Sequence, residues 1–138
     1  MHAAQSRAMA RLSIRIDLGS DTALGPGKAR LLELVDAEGS IRGAALAMGM
    51  SYRRAWLLLQ DIEATMGAPV VAAETGGVKG GGTSLTRLGR EVVNQYRKIE
   101  ERASRSVDAE LRALSEMAKS APAAARKPRR NPSKKLNI

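Results

Sequence analysis

Gly49, Met50 and Ser51 are all that separates two helical stretches of this chain, and so short a link sends the second helix away from the first at a steep angle. Ser40 and Ser51 each stand where a hydroxyl can accept a first-turn amide, so they are read as the N-caps of the two helices. Gly49 ends the first helix and Gly67 the second. Ala45 and Ala55 are small where the two must approach closely. In the second helix Ala55, Leu58, Leu59, Ile62 and Met66 recur every three or four residues. That spacing turns one apolar stripe inward and leaves Tyr52, Arg53 and Gln60 toward other faces.

The rest of the chain is arranged around this pair. Residues 12–18 (LSIRIDL) alternate apolar and polar, the period of a half-buried strand. Residues 19–25 form a turn-rich connector. Pro26 opens a helix that Gly39 closes, with Leu31, Leu32, Leu34 and Val35 inward and Glu33, Asp36 and Glu38 making an acidic outer side. Residues 68–73 have the composition of an edge strand, which residues 83–85 can meet across a glycine run to form a hairpin wing. From about Thr86 a long helical pattern follows, with Tyr96, Ile99, Ala103, Val107, Leu111, Leu114 and Ala118 in steps of three and four. The mean step is nearer a straight helix than a left-handed coiled coil. Roughly 30 residues at about 1.5 Å each span about 45 Å, too long for so small a body to cover, which points to a second subunit. The domain organisation expected is a disordered N-terminus over 1–11, one mostly α domain over 12–119, and a disordered basic tail over 120–138. Pro122, Pro128 and Pro132 forbid a continuous helix in the tail.

Composition narrows the chemistry. The 138 residues have room for one modest core; phenylalanine is absent, and Trp56, Tyr52 and Tyr96 are the only aromatics. There is no cysteine and only one histidine, His2, so neither a disulfide framework nor a metal site is expected. No cofactor is expected either. No apolar run reaches the roughly 18 residues of a membrane span, and residues 1–11 lack the apolar core of a signal peptide, so a cytoplasmic location is expected. The net charge is +9, but the tail supplies six cations and no acid, and residues 1–11 supply two more, leaving the body near neutral. Within the body, residues 40–54 carry Arg42, Arg53 and Arg54 with no acid, and residues 75–90 carry Lys79, Arg87 and Arg90 with none. Two segregated patches say more than the total.

These patches suit a double helix of DNA. Arginine can donate two hydrogen bonds to guanine in the major groove, and a tyrosine hydroxyl can reach phosphate or a base edge, which makes Tyr52, Arg53 and Arg54 the main candidate site. A solvated helix face is the plain alternative. Residues 75–83 (TGGVKGGGT) invite comparison with a phosphate-binding loop, but the register fails: Thr83 follows Gly82, whereas such a loop places lysine after its last glycine. A tight hairpin tip with Lys79 reaching phosphate or the minor groove fits better, and a flexible linker is the alternative. Trp56, beside Ala55 and near Leu59, is read as core packing. Asp61 and Glu63 point to different faces, and no catalytic constellation is present, so an enzyme is not expected. The tail can lie in an AT-rich minor groove or simply add nonspecific attraction.

GSIRGAALAMGMSYRRAW and ETGGVKGGGTSLTRLG resemble the helix-turn-helix and glycine wing of the N-terminal DNA-binding domain of the molybdate-responsive ModE family, itself similar to the LysR-type winged helices. LSIRIDL stands where that family has its opening strand. The resemblance covers about residues 12–115. It implies a mostly α winged helix-turn-helix with a small β wing and a long C-terminal dimerisation helix. It further implies recognition-helix contacts from Ser51, Tyr52, Arg53 and Arg54, with Arg42 in the same acid-free patch. Lys79, Gly80, Gly81, Gly82, Thr83, Thr86 and Arg87 then lie near the DNA backbone, and a homodimer is joined through Tyr96, Ile99, Ala103, Val107 and Leu111. Regulators of that family usually carry C-terminal molybdate-binding domains, where this sequence has a basic tail. With no apolar-lined anion pocket in the sequence, molybdate is not assigned as a ligand. The function expected is a sequence-specific transcriptional regulator acting as a homodimer on double-stranded DNA without an effector domain. An architectural DNA-coating protein, or a modulatory partner that pairs with a full-length relative, is the alternative.

Overall fold

The computed structural model describes residues 10–19, 21–74 and 82–120. These fall into two units, one of residues 12–105 and one that includes residues 10–11 and 106–120. Within the first, β1 (Ile16–Asp17) pairs antiparallel with β2 (Ala23–Leu24), followed by α1 (Pro26–Glu38), α2 (Ile41–Met48) and α3 (Tyr52–Met66). The wing then pairs β3 (Val71–Glu74) with β4 (Gly82–Leu85), and α4 (Arg87–Ser106) follows. Mostly helical, with a hairpin after the helix-turn-helix, this is a winged helix-turn-helix.

Local chemistry sets the helix boundaries. The Ser40 hydroxyl accepts the Gly43 amide at 2.9 Å, and the Ser51 hydroxyl accepts the Arg54 amide at 3.1 Å. Gly39, Gly49 and Gly67 close α1, α2 and α3 with φ of 72°, 68° and 74°. At Gly49 the turn is fully bonded, because Met50 donates to the Ala45 carbonyl and Gly49 to that of Leu46. Only a left-handed residue lets both orphan carbonyls find partners in so few atoms.

The core is a single cluster. Leu31, Leu32 and Val35 of α1 meet Ala44 and Ala45 of α2, Ala55, Leu59 and Ile62 of α3, and Val92, Val93 and Tyr96 of α4. The wing is anchored at its base: Glu63 accepts the Val70 amide at 2.8 Å, and the Val70 carbonyl accepts the Thr86 amide at 3.0 Å. Gly89 passes so close to the Val70 carbonyl oxygen that a β-carbon there would overlap it.

Two expectations are corrected. The opening strand is paired over only two residues, not seven. Its alternation of burial persists through Leu12, Ile14 and Ile16, but Ile14 would lie opposite Pro26, which has already entered α1 and has no amide to give. The residues read as a connector, 19–25, supply β2. The acidic outer side of α1 is exposed at Asp36 and Glu38, and it also takes partners. Arg97 of α4 grips both Glu33 oxygens at 2.7 and 3.2 Å and Glu100 at 2.8 Å, and Asp36 accepts the Leu85 amide at 3.4 Å. The hydrogen bond to Glu33 raises the Arg97 pKa above its ordinary value, against the opposing effect of burial.

The expected single long helix is two helices. α4 ends at Ser106 and α5 (Asp108–Ser120) begins after Val107. Ser106, Val107 and Asp108 are three successive weak helix formers, and Asp108 with Glu110 gives α5 an acidic first turn of its own. In the second unit Ser115 is buried, accepting the Ala10 amide at 2.6 Å and donating to the Leu111 carbonyl at 2.9 Å. Ser120, the first residue of the expected tail, ends α5, and the rest of that tail, residues 121–138, lies outside the described residues, as do residues 1–9. Among the described residues no helix is long and apolar enough to cross a membrane.

Candidate nucleic-acid interface

α3 carries its cations at its beginning, where the Ser51 cap and the Gly49 turn hold the backbone. Tyr52, Arg53 and Arg54 are all exposed on the first turn. Among the described residues neither arginine has an ion pair, and no acid occurs between Ser40 and Gln60. From α2 the Arg42 guanidinium lies over the Tyr52 ring, 5.9 Å from its centroid, so the two helices present one continuous basic and aromatic surface. A helix N-terminus adds partial positive charge to that surface. Such a surface offers forked donors at the depth of a groove and a hydroxyl beside them.

The structure brings together Arg42, Ser51, Tyr52, Arg53 and Arg54, as the sequence requires. It handles the wing residues differently. Lys79, Gly80 and Gly81, which the sequence assigns to a hairpin tip, lie outside the described residues. Gly82 and Thr83 belong to β4 and dock on the end of α1: the Thr83 amide donates to the Gly39 carbonyl at 2.8 Å, and a β-carbon at Gly82 would crowd that same oxygen. Thr86 is occupied as a hinge between wing and α4, its hydroxyl donating to Pro69 at 2.7 Å and accepting the Gly89 amide at 3.1 Å. Arg87 is 89% exposed and pairs with Glu91 at 3.4 Å. Arg90, by contrast, spends its guanidinium on the Leu85 carbonyl at 2.9 Å.

Two side chains are placed against expectation. Trp56 is not core packing: it is 43% exposed, one turn beyond Tyr52 on the same flank of α3. Adjacency to Ala55 in sequence misleads, because one residue is a 100° turn of the helix; the four-residue spacing from Tyr52 is the signal that finds it. Tyr96 is not available to a second subunit. It is 1% exposed, and its hydroxyl donates to the Ile14 carbonyl at 2.7 Å. Further along α4, Ile99 is 44% exposed and Ala103 half-buried, while Val107 and Leu111 are half-buried in the other unit.

No family model matches the chain. Among curated proteins, the molybdenum transport protein ModE of Azotobacter vinelandii is 41% identical over 95 residues, 69% of this chain and 34% of that protein. The molybdenum-pterin-binding protein MopB of Rhodobacter capsulatus is 39% identical over 77 residues, 56% of this chain and 28% of that one. The DNA-binding transcriptional dual regulator ModE of Escherichia coli K12 is 34% identical over 71 residues, 51% of this chain and 27% of that protein. The chain thus spans about a third or less of the length of these relatives. Among solved structures, that of the DNA-binding domain of CbnR with DNA aligns with a TM-score of 0.49 at 24% identity, covering 63% of this chain and 94% of that one. With four in ten residues identical over 95 positions, the winged-helix region of this chain is similar to part of a ModE protein.

Proposed function

We propose that the chain is a DNA-binding regulator of transcription that works as a homodimer, with α3 entering the major groove. One observation carries this: Arg53 and Arg54, exposed and without an ion pair among the described residues, on the capped first turn of α3, with Tyr52 and Arg42 beside them and no acid from Ser40 to Gln60. A recognition helix reads base edges from its N-terminal residues, which is where these side chains are. The similarity to the Escherichia coli transcriptional dual regulator ModE agrees with this reading. Lys79 and its neighbouring glycines would follow the phosphate backbone at the wing. Gly82, Thr83 and Thr86 support that hairpin from behind, and exposed Arg87 adds charge at the start of α4.

For the dimer, support comes from α4. Ile99 and Leu18 remain exposed at the mouth of an apolar groove of about 280 Å³ lined also by Ile16, Leu88 and Val92, a surface that a second copy would cover. Mobility-shift titration of the full chain against a matched and a scrambled duplex tests the proposal. Selective binding with a footprint of two repeated half-sites is expected; equal binding to both duplexes contradicts it.

A further inference from the structure

Leu57 has no structural employment. Two positions from both Ala55 and Leu59, it stands on the side of α3 away from the core, and it is neither in the buried cluster nor among the residues packed against it. It is 44% exposed and shares an outward face with Arg53, Gln60 and Ala64, all exposed, at the spacing of successive helical turns. Its neighbours one turn away on that surface, Arg53, Arg54, Gln60 and Asp61, are all polar and exposed. An aliphatic group in the middle of a polar face calls for an apolar feature in whatever that face meets.

We infer that Leu57 is a specificity-determining residue that reads the 5-methyl group of a thymine near the guanine addressed by Arg53. This rests on α3 being the helix that enters the groove. Thymine alone among the four bases presents a methyl group in the major groove. Leucine neither donates nor accepts, so against cytosine or adenine it would cover an amino group and leave that donor without water or partner. The spacing fits as well. Four residues advance about 6 Å along a helix, less than two base-pair steps of about 3.4 Å each, so Leu57 and Arg53 address neighbouring or next-but-one pairs. As the sixth residue of α3, Leu57 still lies within the two turns that a groove can admit. Trp56, although apolar and exposed, lies on the Tyr52 flank and not on this face.

The test removes the methyl group and nothing else. A sequence bound by the full-length chain is first selected from a random duplex pool, and each of its thymines is then replaced in turn by deoxyuridine. In each half-site one replacement is expected to weaken wild-type binding by about three- to fivefold, the worth of one buried methyl. The same replacement leaves Leu57→Ala binding unchanged and still weakens Leu57→Met, which keeps apolar reach. If no uridine affects wild-type binding, or if the loss persists in full in Leu57→Ala, the inference is overturned while the DNA-binding proposal stands. If the pool yields no selected sequence, both fall.

Discussion

Tyr96 shows how one side chain can tie the fold to pH. Its ring is enclosed by the core and its hydroxyl donates to the Ile14 carbonyl, so ionisation would place a phenolate in an apolar setting facing an acceptor. Burial raises its pKa above 10.0 and nearby Glu100 adds to this, while Arg97 opposes. A folded-state value raised above the unfolded one means a contribution fully present below pH 10 and lost as pH rises through the folded value. Tyr96→Phe is therefore expected to cost about 1 kcal/mol at neutral pH, the net worth of the lost hydrogen bond, and to narrow its deficit against wild type above pH 10. Melting temperatures of the two proteins across that range check this. At the other end of the chemistry, Arg53→Ala and Arg54→Ala are each expected to lose about 1–3 kcal/mol of binding with selectivity relaxed, read by titrating matched and mismatched duplexes. Neither change should move the melting temperature, because neither arginine is paired within the described residues.

Among the elements, the proposed function gives the wing and α3 different work, which titration can separate. Lys79→Ala is expected to weaken binding to all sequences alike and to reduce the slope of affinity against salt by about 1, since a phosphate contact carries no sequence information. A loss confined to one sequence would place Lys79 at a base instead. The boundaries of α2 and α3 were legible in the sequence because their caps are local. Ser40, Ser51, Gly49 and Gly67 act on amides and carbonyls within a few residues, and each cap formed where its residue type requires. The basic first turn of α3 was legible for the same reason. What depends on distant partners was not. Glu33 and Asp36 look like a solvated acidic stripe until α4 and β4 arrive to take them. β1 is short because Pro26, ten residues on from Ile16, withdraws the partner strand. Tyr96 shares its periodicity with Ile99 and Ala103, and spacing alone cannot say that the opening strand folds back over the first of the three. Leu57 was not legible because it falls outside the inward stripe of Ala55, Leu58, Leu59, Ile62 and Met66 and carries no charge to mark it as a contact.

At the scale of the molecule, charge and symmetry would decide what kind of DNA binder the proposed regulator is. Residues 120–138 carry six cations and no acid, enough to attract any duplex without reading it. Deleting them is expected to lower affinity most at low salt and to leave the preference between matched and scrambled duplexes unchanged; near-total loss of binding would favour an architectural role. A homodimer would place two copies of α3 about 34 Å apart or a multiple of that, so the preferred site should be a palindrome with half-sites one or two helical turns from centre to centre. Selection of bound sequences from a random duplex pool measures this directly. The expected result is a two-fold symmetric consensus, with guanine and thymine prominent in each half. A pool that stays random after repeated rounds, or a consensus with a single unrepeated half-site, would contradict the assignment of α3 as the reading helix of a dimeric regulator.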